Sequence, residues 1–131
     1  MSAIPAEFHD LFERKTFAHV VTMLPNGYPH STPVWVDYDA NADRILVNTE
    51  RHRQKTRNVE RNPAVAVSML DPENPYRYLS VTGEVEAMTT DGAREHIEGL
   101  AQRYVDGEYP SEIVSERVIL QIRPEEVITS G

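Results

Sequence analysis

Apolar residues along most of this chain alternate with polar ones, and at two places they recur instead every third or fourth residue. The first helical spacing is Phe8, Leu11 and Phe12 after Pro5, which predicts a short amphipathic helix over residues 5 to 14, packed on a sheet. Residues Thr16 to Leu24 are rich in β-branched and apolar side chains. Pro25-Asn26-Gly27 then supplies turn chemistry ahead of a second extended run from Pro29 to Tyr38, so the pair predicts a hairpin. Pro33 cannot donate a ladder hydrogen bond, which places it at an edge or bulge, where a sheet can re-aim its backbone toward a ligand. After a turn at Asp39 to Asp43, Ile45, Val47 and Thr49 share one face of a third strand, with Leu46 and Asn48 on the other.

Residues 52 to 61 are good helix formers with one aliphatic side chain, Val59, and Asn62-Pro63 ends them, so this helix is expected to be mostly solvated or ligand-facing. Ala64 to Leu70 is a near-continuous apolar run, the mark of a central strand buried on both faces. Beyond the Asp71-Pro72-Glu73-Asn74-Pro75 loop, Leu79, Val81, Gly83, Val85 and Ala87 alternate with polar neighbours in the clearest strand of the chain. Ala93, Ile97, Leu100, Ala101 and Tyr104 give the second helical spacing, between a Thr90-Asp91 cap and Gly107. Val118, Leu120 and Ile122 form the last strand. The order predicts a mainly β domain over residues 1–131, an antiparallel sheet closing into a barrel with flanking helices outside. There is no linker, internal repeat or low-complexity tract.

Composition narrows the chemistry. The chain has 131 residues, 40% of them hydrophobic, in runs too short to span a bilayer. The first ten residues carry Glu7 and Asp10 and no basic patch, so no secretory signal is expected and the cytoplasm is the expected compartment. The absence of cysteine excludes disulfides, thiolate metal sites and cysteine nucleophiles, so redox chemistry needs a borrowed cofactor. A net charge of -8 argues against nucleic-acid binding, whose affinity comes largely from cations neutralising phosphates.

Against that acidic background, Arg51, Arg53, Lys55, Arg57 and Arg61 crowd into eleven residues. The segment Arg51 to Asn58 follows a strand and opens a helix, so backbone N–H groups, the helix dipole and the cations can converge on one anion, with phosphate the natural guess. The alternative is a solvated basic face. Five histidines, His9, His19, His30, His52 and His96, show no paired metal spacing, and His19, among apolar neighbours on a strand, reads as a hydrogen-bonded core residue. There is no G-x-S-x-G motif and no glycine-rich nucleotide loop. Trp35, Tyr76 and Tyr78 lie near turns or strand ends, where rings flank a planar ligand or pack a barrel mouth, and Arg77 is either a surface charge or a donor to an anionic tail or substrate.

Four blocks together resemble the pyridoxamine 5′-phosphate oxidase-like superfamily, in its flavin/deazaflavin oxidoreductase branch, whose members use FMN or coenzyme F420. They are F-A-H-V-V-T-M-L-P-N-G-Y-P-H-S-T-P-V-W (Phe17 to Trp35), R-Q-K-T-R-N-V-E-R-N-P (Arg53 to Pro63), A-V-A-V-S-M-L-D-P-E-N-P-Y-R-Y-L (Ala64 to Leu79) and V-T-G-E-V-E (Val81 to Glu86). The resemblance implies an FMN-binding split β-barrel homodimer with cofactor sites at the subunit interface. By similarity Arg53, Lys55 and Thr56 surround the cofactor phosphate, and Thr32, Pro33, Val34 and Trp35 with Asn48 and Thr49 line the ring system. Tyr76 to Tyr78 enter the partner's site, and Arg51, Arg57 and Arg77 serve a longer anionic tail.

The chain ends soon after its last strand, without the extension that completes the substrate pocket of the true oxidase, so vitamin B6 oxidation is disfavoured. The K-T-R-N and N-P-Y-R-Y-L blocks favour F420, with FMN as the alternative. The implied activity is hydride transfer from reduced F420 to a small conjugated or quinone-like acceptor. The competing readings are an FMN-dependent oxidoreductase and a noncatalytic flavin, F420 or haem-binding carrier or sensor. No residue is assigned as catalytic; Tyr78 and His30 are the candidate proton donors.

Overall fold

The computed structural model describes residues 3–131. Its centre is a seven-stranded, wholly antiparallel sheet, built from β1 (Ala18–Met23), β2 (Pro29–Val34), β3 (Asp37–Asp39), β4 (Arg44–Glu50), β5 (Ala64–Asp71), β6 (Asn74–Thr89) and β7 (Arg117–Ser130). The strand order is β2-β1-β5-β6-β7-β4-β3. Two α-helices, α1 (Gln54–Arg61) and α2 (Ala93–Val105), and an N-terminal 3-10 helix (Ala6–Phe12) flank it. Among the described residues no helix is long and apolar enough to cross a membrane.

The mainly β, antiparallel expectation holds, but the sheet does not close: β2 and β3 are its two ends and do not pair. The reason lies in the run Pro29 to Tyr38, which is two strands rather than one. β2 pairs with β1, from Pro29↔Met23 to Val34↔Ala18, and β3 pairs with β4 at the opposite edge. Trp35 and Val36 carry the chain between them. Their position is fixed from α2, because Tyr104 Oη accepts the Val36 N–H at 3.2 Å and donates to the Thr16 carbonyl at 2.6 Å. Pro33 does lie on an edge strand, where its missing N–H costs no ladder bond.

The hairpin turn forms as expected, with Gly27 at φ +86 and Leu24 N–H on the Tyr28 carbonyl. Inside the sheet, Ile45, Val47, Val67, Leu79, Val81, Val118, Leu120 and Ile122 make one buried cluster with Phe8, Leu11 and Phe12 of the 3-10 helix. Several details differ from the sequence pattern. β5 is buried on one face only: Val65, Val67 and Met69 are buried while Ser68 and Leu70 are exposed, because no layer of this chain covers the outer side. His19 sits on that same open side, opposite Ser68, and is exposed rather than in the core.

β6 begins at Asn74, and β-bulges shift its register against β7 between Thr82/Gly83 and Val85/Ala87. The second bulge moves Ala87 to the exposed face and lets Met88 pack on the core. At the first, a Cβ on Gly83 would lie 2.1 Å from the Arg123 carbonyl oxygen, so only glycine fits the close approach. β7 does not stop after Ile122; it runs on through Pro124, accommodated opposite Gly83. α2 buries the predicted face, but its N-cap is Gly92 without a side-chain cap and its C-cap is Asp106, both left-handed.

Candidate functional site

A cavity of about 260 Å³ opens where β2 ends, between the first turn of α1 and the loop that joins α2 to β7. Pro33 and Val34 come to it from β2 and Trp35 from just beyond that strand, Thr49 from β4, and Arg53 and Lys55 from the start of α1. Phe17, Ile97, Tyr109, Pro110, Ser111 and Arg117 complete the wall. Six of the residues singled out from the sequence thus meet in one place, although β2 and β4 lie far apart in the sheet.

One side is aromatic. Trp35 stacks on Tyr104 at 5.0 Å and 4°, and meets Tyr109 edge-on at 5.9 Å. Phe17 meets Tyr104 edge-on at 5.6 Å. Trp35 is half-buried, backed by Ile97, Leu100 and Tyr104, so its indole is a fixed flat surface rather than a swinging side chain.

The other side is cationic. Lys55 is 9% exposed, and among the described residues no carboxylate or carbonyl partners its Nζ. Burial, with Arg53 and Arg117 close by, pushes its pKa below the ordinary lysine value. Arg117 is held firmly: its Nε and Nη2 donate to Asn48 Oδ1 at 2.9 and 2.7 Å, and its guanidinium lies 5.0 Å over the Tyr109 ring. Glu50 is the carboxylate that answers Arg117, at 3.4 Å, and the β4–β7 register sets these two residues opposite each other.

Glu50 Oε1 also accepts from the backbone N–H groups of Val114 and Ser115, at 2.9 and 2.7 Å, and so pins the α2–β7 loop above the cavity. Burial works to raise the Glu50 pKa, but the two backbone donors, the Ser115 hydroxyl and Arg117 outweigh it, and the net shift is downward. Its charge is therefore committed inside the protein, leaving none for Lys55.

The remaining sequence candidates are placed differently. Thr56 is fully buried, its hydroxyl donating to the Glu50 carbonyl at 2.8 Å, so it shapes the turn that presents Lys55. Asn58 likewise donates to Thr22 Oγ1 from a buried position, and α1 is anchored rather than mostly solvated. Asn48 stands behind Arg117, with both polar atoms of its amide engaged. Arg51 pairs with Glu116 and Arg57 with Gln54. Thr32, the neighbour of Pro33 on β2, keeps a buried hydroxyl with no partner, as does His30 Nδ1.

Arg77 is bound to Asp71 at 2.9 Å, Asp10 at 2.7 Å and the Glu7 carbonyl at 2.6 Å, and caps the Phe8 ring at 4.8 Å. Tyr76 and Tyr78 are exposed on the outer side of the sheet and do not line this cavity. Sequence reasoning missed Arg117, Tyr109 and Glu50. Glu50 could have been noticed as a carboxylate abutting the basic run, whereas nothing local distinguishes Arg117 or Tyr109.

The profile of the pyridoxamine 5′-phosphate oxidase family matches residues 4–131. Among solved structures, an F420 reductase superposes with a TM-score of 0.83 at 36% identity, covering 95% of this chain and 98% of its own. A conserved hypothetical protein from Mycobacterium tuberculosis, 22% identical, gives 0.71 over 99% of this chain and 84% of its own. A putative pyridoxamine 5′-phosphate oxidase from Listeria innocua, 19% identical, gives 0.63 over 86% of each chain. The latter two speak for the fold alone. No curated protein sequence matches. With a family profile along nearly its whole length and a close structural match at 36% identity, the chain belongs to the pyridoxamine 5′-phosphate oxidase-like superfamily and stands with its flavin/deazaflavin, F420-reductase branch.

Proposed function

We propose that this protein is an F420-dependent oxidoreductase that transfers a hydride from the reduced cofactor to a small conjugated or quinone-like acceptor, with FMN as the alternative cofactor. The observation that carries the reading is Lys55, a nearly buried cation without a protein anion, set between Arg53, Arg117 and a flat aromatic wall. A buried charge is costly unless paired, and a phosphate supplies the missing pair. The similarity to the F420 reductase supports the same cofactor class.

In this reading Lys55 and Arg53 hold the phosphate, with Arg117 as a third donor, while Pro33, Val34, Trp35 and Thr49 border the ring system. Bound cofactor supplies the two-electron chemistry. The protein's own share is to orient, to exclude water behind Trp35 and Tyr109, and to leave one face open. Neither His30 nor Tyr78 of the same chain lines the cavity, so the candidate proton donors among its own lining residues are the Tyr109 hydroxyl and the Lys55 ammonium. In this reading the acceptor's proton is supplied by one of these groups, by solvent or by the partner subunit.

The open outer face supports a homodimer. Phe17, Leu70, Tyr76, Tyr78 and Ile128 are large apolar side chains left exposed there, with Leu70 opposite Tyr78 in the β5–β6 register. Phe17 belongs both to this face and to the cavity wall, so a partner docked on the face would close the cavity and bring its own Tyr76 to Tyr78 near it. Light scattering should give twice the chain mass, and Leu70→Asp should halve it and weaken cofactor binding.

The decisive experiment is a side-by-side absorbance and thermal-shift titration with F420 and FMN, followed by acceptor-dependent reoxidation of the reduced complex. Binding of one cofactor and its reoxidation by a quinone is the expected result. Failure of both cofactors to bind overturns the reading, and binding without reoxidation over a broad acceptor panel replaces the enzyme with a carrier.

A further inference from the structure

Behind the cavity, a chain of hydrogen bonds crosses the molecule from Arg117 to the far side of α2. Asn48 is its centre and every bonding position of its amide is filled. Its Oδ1 accepts twice from Arg117, and its Nδ2 donates to the Ala93 carbonyl at 2.8 Å and to His96 Nδ1 at 3.0 Å. The amide has one possible orientation, because a guanidinium can only donate and a backbone carbonyl can only accept. His96 Nδ1 must therefore be the acceptor, and its proton resides on Nε2, 3.0 Å from Asp37 Oδ2. Asp37 in turn accepts from Arg103 at 3.1 Å and from the Tyr38 N–H at 2.9 Å.

We propose that His96 is a positioning residue of the anion site: as the neutral Nε2–H imidazole it fixes Asn48, and Asn48 fixes the guanidinium of Arg117 at the cavity wall. The proposal rests on the phosphate-holding role given above to Lys55, Arg53 and Arg117. Of the five N–H groups of Arg117, four are taken by Asn48, Glu50 and Tyr109, so its direction is set from behind and the remaining Nη2 hydrogen is left for a ligand. Were Asn48 free to rotate, its NH2 would face the guanidinium and Arg117 would lose its principal acceptor.

The device is sensitive to acid. A proton added to His96 sets Nδ1–H against the Nδ2 hydrogens of Asn48, and the amide cannot turn to accept it without presenting donors to Arg117 and an oxygen to the Ala93 carbonyl. The charged groups around His96 are Asp37 from β3, Arg103 from its own helix and, through Asn48 of β4, Arg117 of β7. Burial raises the Asp37 pKa, but the bonds from His96, Arg103 and the Tyr38 N–H more than offset this, so the carboxylate stays charged. Lys55, whose pKa is lowered by burial, loses its charge as pH rises, which weakens the anion site from the alkaline side.

The test is the dissociation constant of F420, and of FMN in a parallel series, between about pH 5 and 8 for the wild type, His96→Asn and His96→Leu. Asparagine keeps an acceptor near the Nδ1 position and cannot titrate; leucine removes the acceptor. Wild-type affinity should fall about tenfold more than that of His96→Asn on acidification, a hydrogen bond to a charged group being of that size. The cofactor's own ionisation cancels in the ratio. His96→Leu should bind about tenfold more weakly than wild type at pH 8, by the same bond.

Nitrogen-15 NMR of the free protein should show His96 as the Nε2–H tautomer at pH 8 and a shift of the Asn48 side-chain amide as His96 titrates. Identical profiles for wild type and His96→Asn, or the Nδ1–H tautomer, overturn the proposal. If wild type binds neither cofactor, the functional reading fails, and the NMR result still decides the relay by itself.

Discussion

Two clusters of charged residues in this domain use their arginines and lysine in opposite ways. Beside the 3-10 helix, Arg14 and Arg77 face Asp10, Asp71 and Glu73, so the cations are outnumbered and every one is paired. Arg53, Lys55 and Arg117 line the cavity and, among the described residues, only Arg117 of the three pairs with a carboxylate, Glu50, which is also spent on the α2–β7 loop. The first cluster closes on itself and ties the N-terminal segment to the β5–β6 hairpin. The second is left with excess positive charge at the cavity wall, which is what the proposed anionic ligand would neutralise. Cations therefore inform about function here only once their counterions are known.

The largest effect should come from Glu50, the buried carboxylate behind the cavity wall. Glu50→Ala leaves Arg117 without its counterion and two backbone N–H groups without their acceptor, and urea unfolding should show a loss of about 3–5 kcal/mol. A loss below about 1 kcal/mol, within the range of exposed ion pairs, would mean that Glu50 is not the internal counterion described here.

Next, Lys55→Met should weaken F420 or FMN binding about 30- to 100-fold, as expected for a lost charge-assisted contact, without lowering the melting temperature. The sign follows from linkage. The folded-state pKa of Lys55 lies below the unfolded one, so stability is lost as pH falls from the ordinary lysine value through the lowered one, and at neutral pH the charged side chain is a cost. A variant that binds as well as wild type, or that unfolds, breaks the comparison.

Arg77→Met should do the reverse, lowering the melting temperature while cofactor affinity in the dimer stays within about threefold, the ordinary effect of a change away from a site. Loss of binding with unchanged stability would move Arg77 into the partner's site, as the sequence resemblance implies, and erase the contrast between the clusters.

The smallest effect is the acid limb of the paired cluster. The Glu73 backbone N–H, with Arg14 and Arg77, holds the Asp71 carboxyl at about 2, against an ordinary 3.8. Its contribution to stability is present above about 3.8 and lost as pH falls toward 2. In an acid titration followed by circular dichroism, Asp71→Asn should remove that part of the slope; an unchanged slope would detach Asp71 from the cluster's stability.

Much of the fold could be read locally, because alternation in Ile45 to Thr49 and Leu79 to Val85 and helical spacing in Ala93 to Tyr104 reflect burial that each element carries wherever it is placed. The failures share a cause. Pro29 to Tyr38 has the propensity of one long strand, and what divides it is the hold of Tyr104, on a helix far along the chain, upon Val36 and Thr16. Ala64 to Leu70 is apolar enough for two buried faces, yet its outer face stays open in the single chain, the face on which the homodimer is proposed.

The site divides in the same manner. Arg53 and Lys55 after a strand, together with Pro33 to Trp35 at an edge, are short-range features, and the sequence by itself determined that a cationic turn and an aromatic residue beside an edge strand exist. Which cations remain available was decided only by the tertiary structure. Charge neutralisation acts over a few ångströms in space, and the partners involved, Arg117 opposite Glu50 and Arg77 beside Asp10, are more than sixty residues apart along the chain. Strand register and helix packing, not local composition, set those distances.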